Sequence, residues 1–177
     1  MTALELLKSH VQTGRQFLEG TFADVTPEML HKAPGGTANP LGATYAHLIF
    51  SEDWLINNVL RGKKMLAETE WAGKTGVDKP MPNPGPEWGT YADWTKTVKI
   101  DLDALRSYAK AVYENTDKYL SSLSDADLDK EKDLTAVGFG KVTVGWAIAE
   151  LIAGHTTSIL GEIAVLKGIQ GAKGYPF

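Results

Sequence analysis

The sequence predicts an all-α protein, a four-helix bundle with a long proline-rich crossover between its second and third helices. Four long segments place apolar residues at helical spacing, one central segment is too rich in proline for regular structure, and no segment predicts a stable sheet. With 177 residues and 43% hydrophobic content, the chain can bury one core of ordinary size. We therefore expect a single domain over residues 1–177.

The first helix is predicted over about residues 3–22, where apolar side chains recur every three or four positions. Thr26 and Pro27 then begin a short helical turn, as an N-cap and a first helical residue. His10 lies at the margin of the first helix and His31 lies on the short turn. Both histidines are expected at the surface.

The second long helix is predicted from Asn39-Pro40 to a stop at Gly62. This helix is apolar nearly all round, so it must be covered on more than one side. Either it is central to the bundle or it forms a contact with a second copy of the chain. We expect a homodimer through this helix or through the proline-rich arm.

One face of the second helix is mixed in character. His47 shares it with polar and aromatic residues, among them Ser51, Trp54 and Asn58. Glu52 and Asp53 point well away from His47, so they cannot bind a metal together with it from one helix. These two carboxylates are expected to face solvent or the helix dipole.

Residues 63–89 are predicted to form an irregular crossover, because prolines alternate with other residues between Pro80 and Pro86. A connection of this length is a candidate lid or interface arm. Trp71 and Trp88 are the side chains expected to anchor it to the bundle.

The third helix is predicted over about residues 91–123, with a length of roughly 50 Å. The stretch from Asp133 to Thr143 alternates apolar residues with glycines, which suits a connector or a brief hairpin. Thr143 is the predicted cap of the fourth helix, which continues to about Gly168.

The fourth helix carries two ionisable residues on an otherwise apolar face. His155 lies at the centre of this face, and Glu162 lies in line with it, about 10 Å further along the axis. At that distance the two side chains cannot pair directly. Each is expected to meet a partner on a facing helix, because an unpartnered polar group in a core costs a few kcal/mol, roughly.

Composition excludes several classes of function. The net charge is -4 and no long run of lysine or arginine occurs, so binding to nucleic acid is not expected. No apolar run approaches the ~20 residues that span a bilayer, so we expect a cytoplasmic protein with no membrane contact. The absence of cysteine excludes disulfides, thiolate metal sites and a cysteine nucleophile.

His47 and His155 are the candidate metal ligands, because inward side chains from facing helices converge in bundles. Neutral imidazole suits transition metals such as zinc or nickel. A catalytic zinc site has three protein ligands and an open position, and the sequence supplies two.

The chain resembles the DinB/YfiT-like superfamily of bacterial four-helix proteins. The resemblance rests on NPLGATYAHLIFSEDWLINNVLRG, on the DADL turn after the third helix and on GHTTSILGEI near the end. It implies a metal-dependent protein with a histidine triad, and some related groups are thiol-dependent transferases. In the resemblance, His47 and His155 match two triad histidines, Ile159 stands at the third position and Glu162 stands where glutamine is common.

Three hypotheses remain open. The first is a protein that binds a small-molecule ligand in a pocket between the second and fourth helices, lined by Ser51, Trp54, Asn58, Ile159 and Glu162. The second is a metal-dependent hydrolase or thiol transferase that uses zinc or nickel at His47 and His155. The third is a structural or interaction protein in which the ionisable residues form a buried polar network.

Overall fold

The computed structural model describes residues 1–82 and 89–177, and it is mostly helical with one small β-hairpin. Helix α1 spans Ala3–Phe22. It begins with a capping box, in which Thr2 and Glu5 each accept a hydrogen bond from the other's backbone N–H. Helix α2 spans Pro27–His31, and the Thr26 side chain caps it as predicted.

Helix α3 spans Leu41–Asp53 and continues without a break into a π-helical segment, Trp54–Leu60. Gly62 follows with a φ of 63°, which places the end of the helix where the sequence predicted it. Nearly every side chain of α3 is buried within the same chain, by α2, α5 and α7. The all-round apolar character of this helix therefore reflects a central position in the fold.

The crossover after α3 contains a short 3₁₀ turn, Leu66–Glu68, and is otherwise irregular where described. The half-buried ring of Trp71 packs against that of Tyr108, with centroids 5.8 Å apart, as expected for an anchor. Trp88, the other predicted anchor, lies outside the described residues. Gly76 has a φ of 81°, and a Cβ there would lie 2.3 Å from the backbone nitrogen of Leu105. Only glycine therefore allows the crossover backbone to lie this close to the backbone of Leu105.

The predicted third helix is two helices, α4 over Tyr91–Thr97 and α5 over Leu102–Ser121, so the expectation of one unbroken helix is wrong. Between them, the backbone N–H of Ile100 donates to Nε2 of His31 at 2.9 Å, and the backbone of Ile100 bridges to Val77. Asp101 then caps α5, and its side chain accepts a hydrogen bond from the backbone of Ala104. Tertiary contacts thus outweigh a continuous apolar periodicity.

After a 3₁₀ turn at Asp125–Asp129, strands β1 (Glu131–Leu134) and β2 (Gly140–Thr143) form an antiparallel hairpin. The brief hairpin expected here is therefore present, and it adds a small two-stranded sheet to a fold expected to be all-α. Its tip contains the 3₁₀ turn Thr135–Val137, and Gly138 follows with a φ of 91°.

The last long helix begins at the predicted cap, Thr143, and has three parts: α6 over Val144–Ile148, a π-helical segment over Ala149–Gly154, and α7 over His155–Gly168. By length and composition this helix could span a membrane, contrary to the sequence expectation. The core helices of soluble proteins pass the same test. Here α7 packs against α1 and α3 of the same chain.

The four long helical segments contact one another in a ring. Helix α1 contacts α5 and α7, and α3 contacts the same two helices on the other side. Two hydrophobic clusters fill the interior, one centred on α3, α5 and α7 and the other on the two π-helical segments with the start of α1. Trp54 packs against both clusters, at the junction where the histidines lie.

Candidate functional site

His47 of α3 and His155 of α7 lie side by side. Their ring centroids are 5.0 Å apart and the ring planes meet at 79°. The prediction that these two histidines approach each other is confirmed. His47 also contacts the ring of Tyr91 at 5.2 Å, and its Nδ1 lies 3.5 Å from the hydroxyl of Ser51.

Burial favours the neutral form of both imidazoles. Burial, with a smaller contribution from neighbouring His155, lowers the pKa of His47 from 6.5 to about 4. Burial also lowers the pKa of His155. A neutral imidazole has one donor and one acceptor nitrogen, so each ring is polar without carrying a charge.

The two histidines line a cavity of about 700 Å³. One wall comes from α3 and its π-helical continuation, a second from the last long helix, and a third from the tip of the β1–β2 hairpin. Most of the lining is apolar, and its non-histidine members are Ser51, Trp54, Leu55, Ala136, Val137, Phe139, Glu150, Leu151, Gly154 and Ser158. Cavities of this size, apolar with a few polar groups, are typical of small-molecule sites.

Both long helices that line the cavity change from α-helical to π-helical hydrogen bonding beside it. Trp54 and Leu55 begin one π-helical segment, and Glu150, Leu151 and Gly154 belong to the other. π-Helical turns are rare and are found frequently at functional sites. Because they occur in two facing walls of one cavity, this cavity is the candidate functional site.

The second π-helical segment changes which side chains share a face. The backbone N–H of His155 donates to the carbonyl of Glu150, five residues earlier. In a regular α-helix these side chains would point about 140° apart. The wider turn brings Glu150 into the wall that contains His155, which a helical wheel of the sequence does not predict.

Of the five other residues predicted to line a pocket, Ser51 and Trp54 line this cavity and three lie elsewhere. Asn58 is exposed, and Ile159 is buried in the hydrophobic core at 8% exposure. Glu162 is also exposed, so its predicted inward position is wrong. Its carboxylate lies 3.4 Å from the hydroxyl of Thr44 at the surface of the α3–α7 contact.

Glu52 and Asp53, which were expected to face solvent, are buried at 2% and 0% exposure. Glu52 forms an ion pair with Arg15 and accepts a hydrogen bond from the hydroxyl of Thr116 at 2.6 Å. The expectation failed because α3 is apolar on all sides, which left these carboxylates no exposed face. That same apolar character was the signal that they needed buried partners.

A smaller cavity of about 290 Å³ lies between α3 and the crossover. Phe50, Met65 and Met81 contribute to its lining, and Trp54 lines both cavities. The indole of Trp54 thus forms part of the wall of each.

A family model of the DinB superfamily matches residues 10–158, which is most of the chain. This protein belongs to the DinB superfamily. A solved structure described as the conserved protein of a locus from Enterococcus faecalis is similar to it, with a TM-score of 0.77 and 17% sequence identity. The match covers 96% of this chain and 97% of that one, and at this identity it shows a shared fold. No curated protein matches the sequence.

The histidine triad implied for metal-dependent DinB proteins is not complete here. His47 and His155 lie close enough to act together, but Ile159 has no donor atom at the third position. Within residues 1–82 and 89–177, no group of three or more histidine, aspartate or glutamate side chains is placed to hold a metal ion. The described residues therefore do not fit a zinc site with three protein ligands.

Proposed function

We propose that this DinB-superfamily protein binds a mostly apolar small molecule in the cavity beside His47 and His155. The observation that carries the proposal is the composition of that cavity, in which two neutral imidazoles lie 5.0 Å apart within a mainly apolar lining of about 700 Å³. The apolar wall would provide affinity, and the histidines would select a ligand with a matching polar group.

The arrangement of the helices supports the same proposal. We propose that the ring of α1, α3, α5 and α6–α7 is a four-helix bundle, in which ligand sites form between facing helices. The cavity lies between two of these segments and the hairpin tip closes one side of it. Residues that are distant in the sequence thus meet around one volume.

Binding of N-phenyl-1-naphthylamine, an uncharged apolar dye whose fluorescence rises in apolar surroundings, tests the proposal. Ser158 is exposed and lines the cavity, so Ser158→Trp would fill part of it with a large ring. We expect the wild type to bind the dye and Ser158→Trp to weaken binding at least tenfold, roughly.

The matched control is Ser107→Trp, which makes the same change at an exposed position of α5 that does not line the cavity. This variant should bind the dye like the wild type, and both variants should keep the wild-type melting temperature. Equal loss in both variants, or no binding by the wild type, would overturn the proposal.

A further inference from the structure

Among the described residues that line the cavity, Glu150 is the one carboxylate. The other polar members, among the described residues, are two serines and two histidines, and no lysine or arginine lines the cavity. Burial lowers the pKa of both histidines, which favours their neutral form. A cavity that contains a carboxylate but no lysine or arginine selects ligands by charge as well as by shape.

The carboxylate of Glu150 lies beside Gly154, another residue of the cavity lining. A Cβ atom added at Gly154, which also lines the cavity, would lie 3.5 Å from Oε2 of Glu150. Glu150 and Gly154 are thus neighbours within the cavity lining, and the carboxylate lies on the Gly154 side of Glu150. The π-helical hydrogen bond from His155 to Glu150 maintains this placement.

Aromatic rings border the same volume. Trp54 lies on the α3 side, and Phe139 extends from the hairpin with 49% of its surface exposed. Phe139 also contacts Trp146, with ring centroids 5.7 Å apart. Aromatic faces attract cations, and a carboxylate near them adds a direct ionic partner.

We propose that the ligand of this cavity is an amine, with a protonated nitrogen paired to Glu150 and an apolar body against Leu55, Val137 and Leu151. This inference rests on the proposed function and specifies its ligand class. An anionic ligand would meet the carboxylate without a compensating cation in the lining. A neutral ligand would fill the apolar part of the cavity and would gain no affinity from an ion pair with Glu150.

Three probes with a phenyl ring on a three-carbon chain but with different charge test the inference: 3-phenylpropylamine, 3-phenylpropan-1-ol and 3-phenylpropanoate. Their affinities are measured by displacement of N-phenyl-1-naphthylamine. We expect the amine to bind about fivefold more tightly than the alcohol, which corresponds to an ion pair at a solvent-exposed carboxylate. The propanoate should bind more weakly than both.

Glu150→Gln removes the charge and keeps the shape. In this variant the amine should lose its advantage and bind like the alcohol, while the affinity for the alcohol stays as in the wild type. Glu162→Gln is the matched control, because Glu162 is also an exposed carboxylate of the last helix but does not line the cavity. It should leave all three affinities unchanged.

The outcomes separate the two proposals. Equal binding of amine and alcohol, or an amine preference that survives Glu150→Gln, would overturn the amine assignment and leave the apolar ligand site intact. If the dye and all three probes fail to bind the wild type, the proposed function itself is wrong. If Glu162→Gln removes the preference as fully as Glu150→Gln, the preference reflects the general surface charge, and the assignment to Glu150 is overturned.

Discussion

At the scale of single residues, the decisive feature is that the half-buried rings of His47 and His155 lie side by side, with centroids 5.0 Å apart. A buried imidazole is easier to keep neutral than charged, because desolvation penalises the charged form. The proximity of the second ring adds to this effect at His47. The pair therefore acts as a polar but uncharged element of the cavity.

The lowered pKa of His47 predicts a loss of stability in acid. Between pH 6.5, its ordinary pKa, and about pH 4, its pKa in the folded protein, the unfolded chain binds more protons at this residue than the folded chain. The free energy of unfolding should therefore fall as pH drops through that window, by at most about 3 kcal/mol from His47 alone. At higher pH this part of the stability is fully present.

Urea unfolding of wild type and His47→Gln at pH 7.5 and pH 4.5 measures this contribution. Glutamine does not titrate, so the variant should lose less stability between the two pH values than the wild type. The carboxylates that titrate elsewhere affect both proteins and cancel in the comparison. Equal losses in the two proteins would show that His47 is not a source of the acid sensitivity.

Ile159 provides the second prediction at this scale. Ile159→His would place an imidazole one turn from His155 on the same helix. Two histidines with this spacing bind metal ions in other proteins. Without metal the variant should lose about 1–3 kcal/mol of stability, because a polar ring replaces a buried aliphatic side chain. Zinc should restore about 2.7 kcal/mol at a hundredfold excess over its dissociation constant.

Thermal melts with and without zinc decide this prediction, with Leu160→His as the control. Leu160 is buried to a similar extent, at 7% exposure against 8% for Ile159, but it points to another side of the helix. Zinc should raise the melting temperature of Ile159→His only. Equal stabilisation of the wild type would mean that another residue already completes the site.

At the scale of elements, the sequence predicted where helices begin and end better than it predicted the breaks and π-helical segments inside them. The caps at Thr26 and Thr143 and the stop at Gly62 depend on local chemistry, so the sequence contains their signal. The break between α4 and α5 combines a local cap at Asp101 with a hydrogen bond from Ile100 to His31, 69 residues away. Contacts at that sequence separation leave no local pattern.

The candidate site was partly predictable for the same reason. His155 was identified because a polar residue on an apolar helical face is unusual, and His47 because it lies on the mixed face of an otherwise apolar helix. Glu150 was missed because a helical wheel assumes 3.6 residues per turn, and the π-helical segment departs from that period. The hairpin residue Phe139 was missed because no local signal links a hairpin tip to a distant helix.

Asp53 ties the crossover to the rest of the fold. Its buried carboxylate accepts hydrogen bonds from the backbone N–H groups of Leu66 and Ala67, both at 3.0 Å, from the Asn57 amide at 2.7 Å and from the Tyr108 hydroxyl at 2.6 Å. Four donors around one carboxylate satisfy its buried charge. The start of the crossover is thereby fixed to α3 and α5.

Asp53→Asn should destabilise the protein by about 2–4 kcal/mol, because an amide cannot accept all four bonds and places its own donor among donors. The measurement is urea unfolding together with amide hydrogen exchange at Leu66 and Ala67, which should accelerate selectively. Tyr108→Phe removes one of the four bonds and is the milder control. Unchanged exchange at both amides in Asp53→Asn would contradict the proposed anchoring.

At the scale of the whole molecule, the homodimer stays a prediction, but the surface that is expected to form it is a different one. The second predicted helix, α3, is covered within one chain and needs no partner. Apolar side chains remain exposed on the last helix and just beyond it, with Val165 at 64% and Ile169 at 58% exposure. These two residues lie one helical turn apart and form an uncovered apolar strip.

Sedimentation equilibrium at micromolar concentration measures the assembly. We expect twice the monomer mass of 19.2 kDa for the wild type, and the monomer mass for the double variant Val165→Lys with Ile169→Lys. A control double variant, Asp103→Lys with Ser107→Lys, makes two exposed changes with the same spacing on α5. A wild type of 19.2 kDa would exclude the dimer.

We propose that His47 and His155 face one ligand cavity, and the chain contains its own controls in His10 and His31, which are exposed and do not line that cavity. The most direct test is two-dimensional ¹H–¹⁵N NMR of the four imidazole rings during titration with N-phenyl-1-naphthylamine. We expect the ring signals of His47 and His155 to shift together and saturate, while those of His10 and His31 stay in place. Unmoved signals from His47 and His155 under saturating dye, or equal shifts in all four rings, would contradict it.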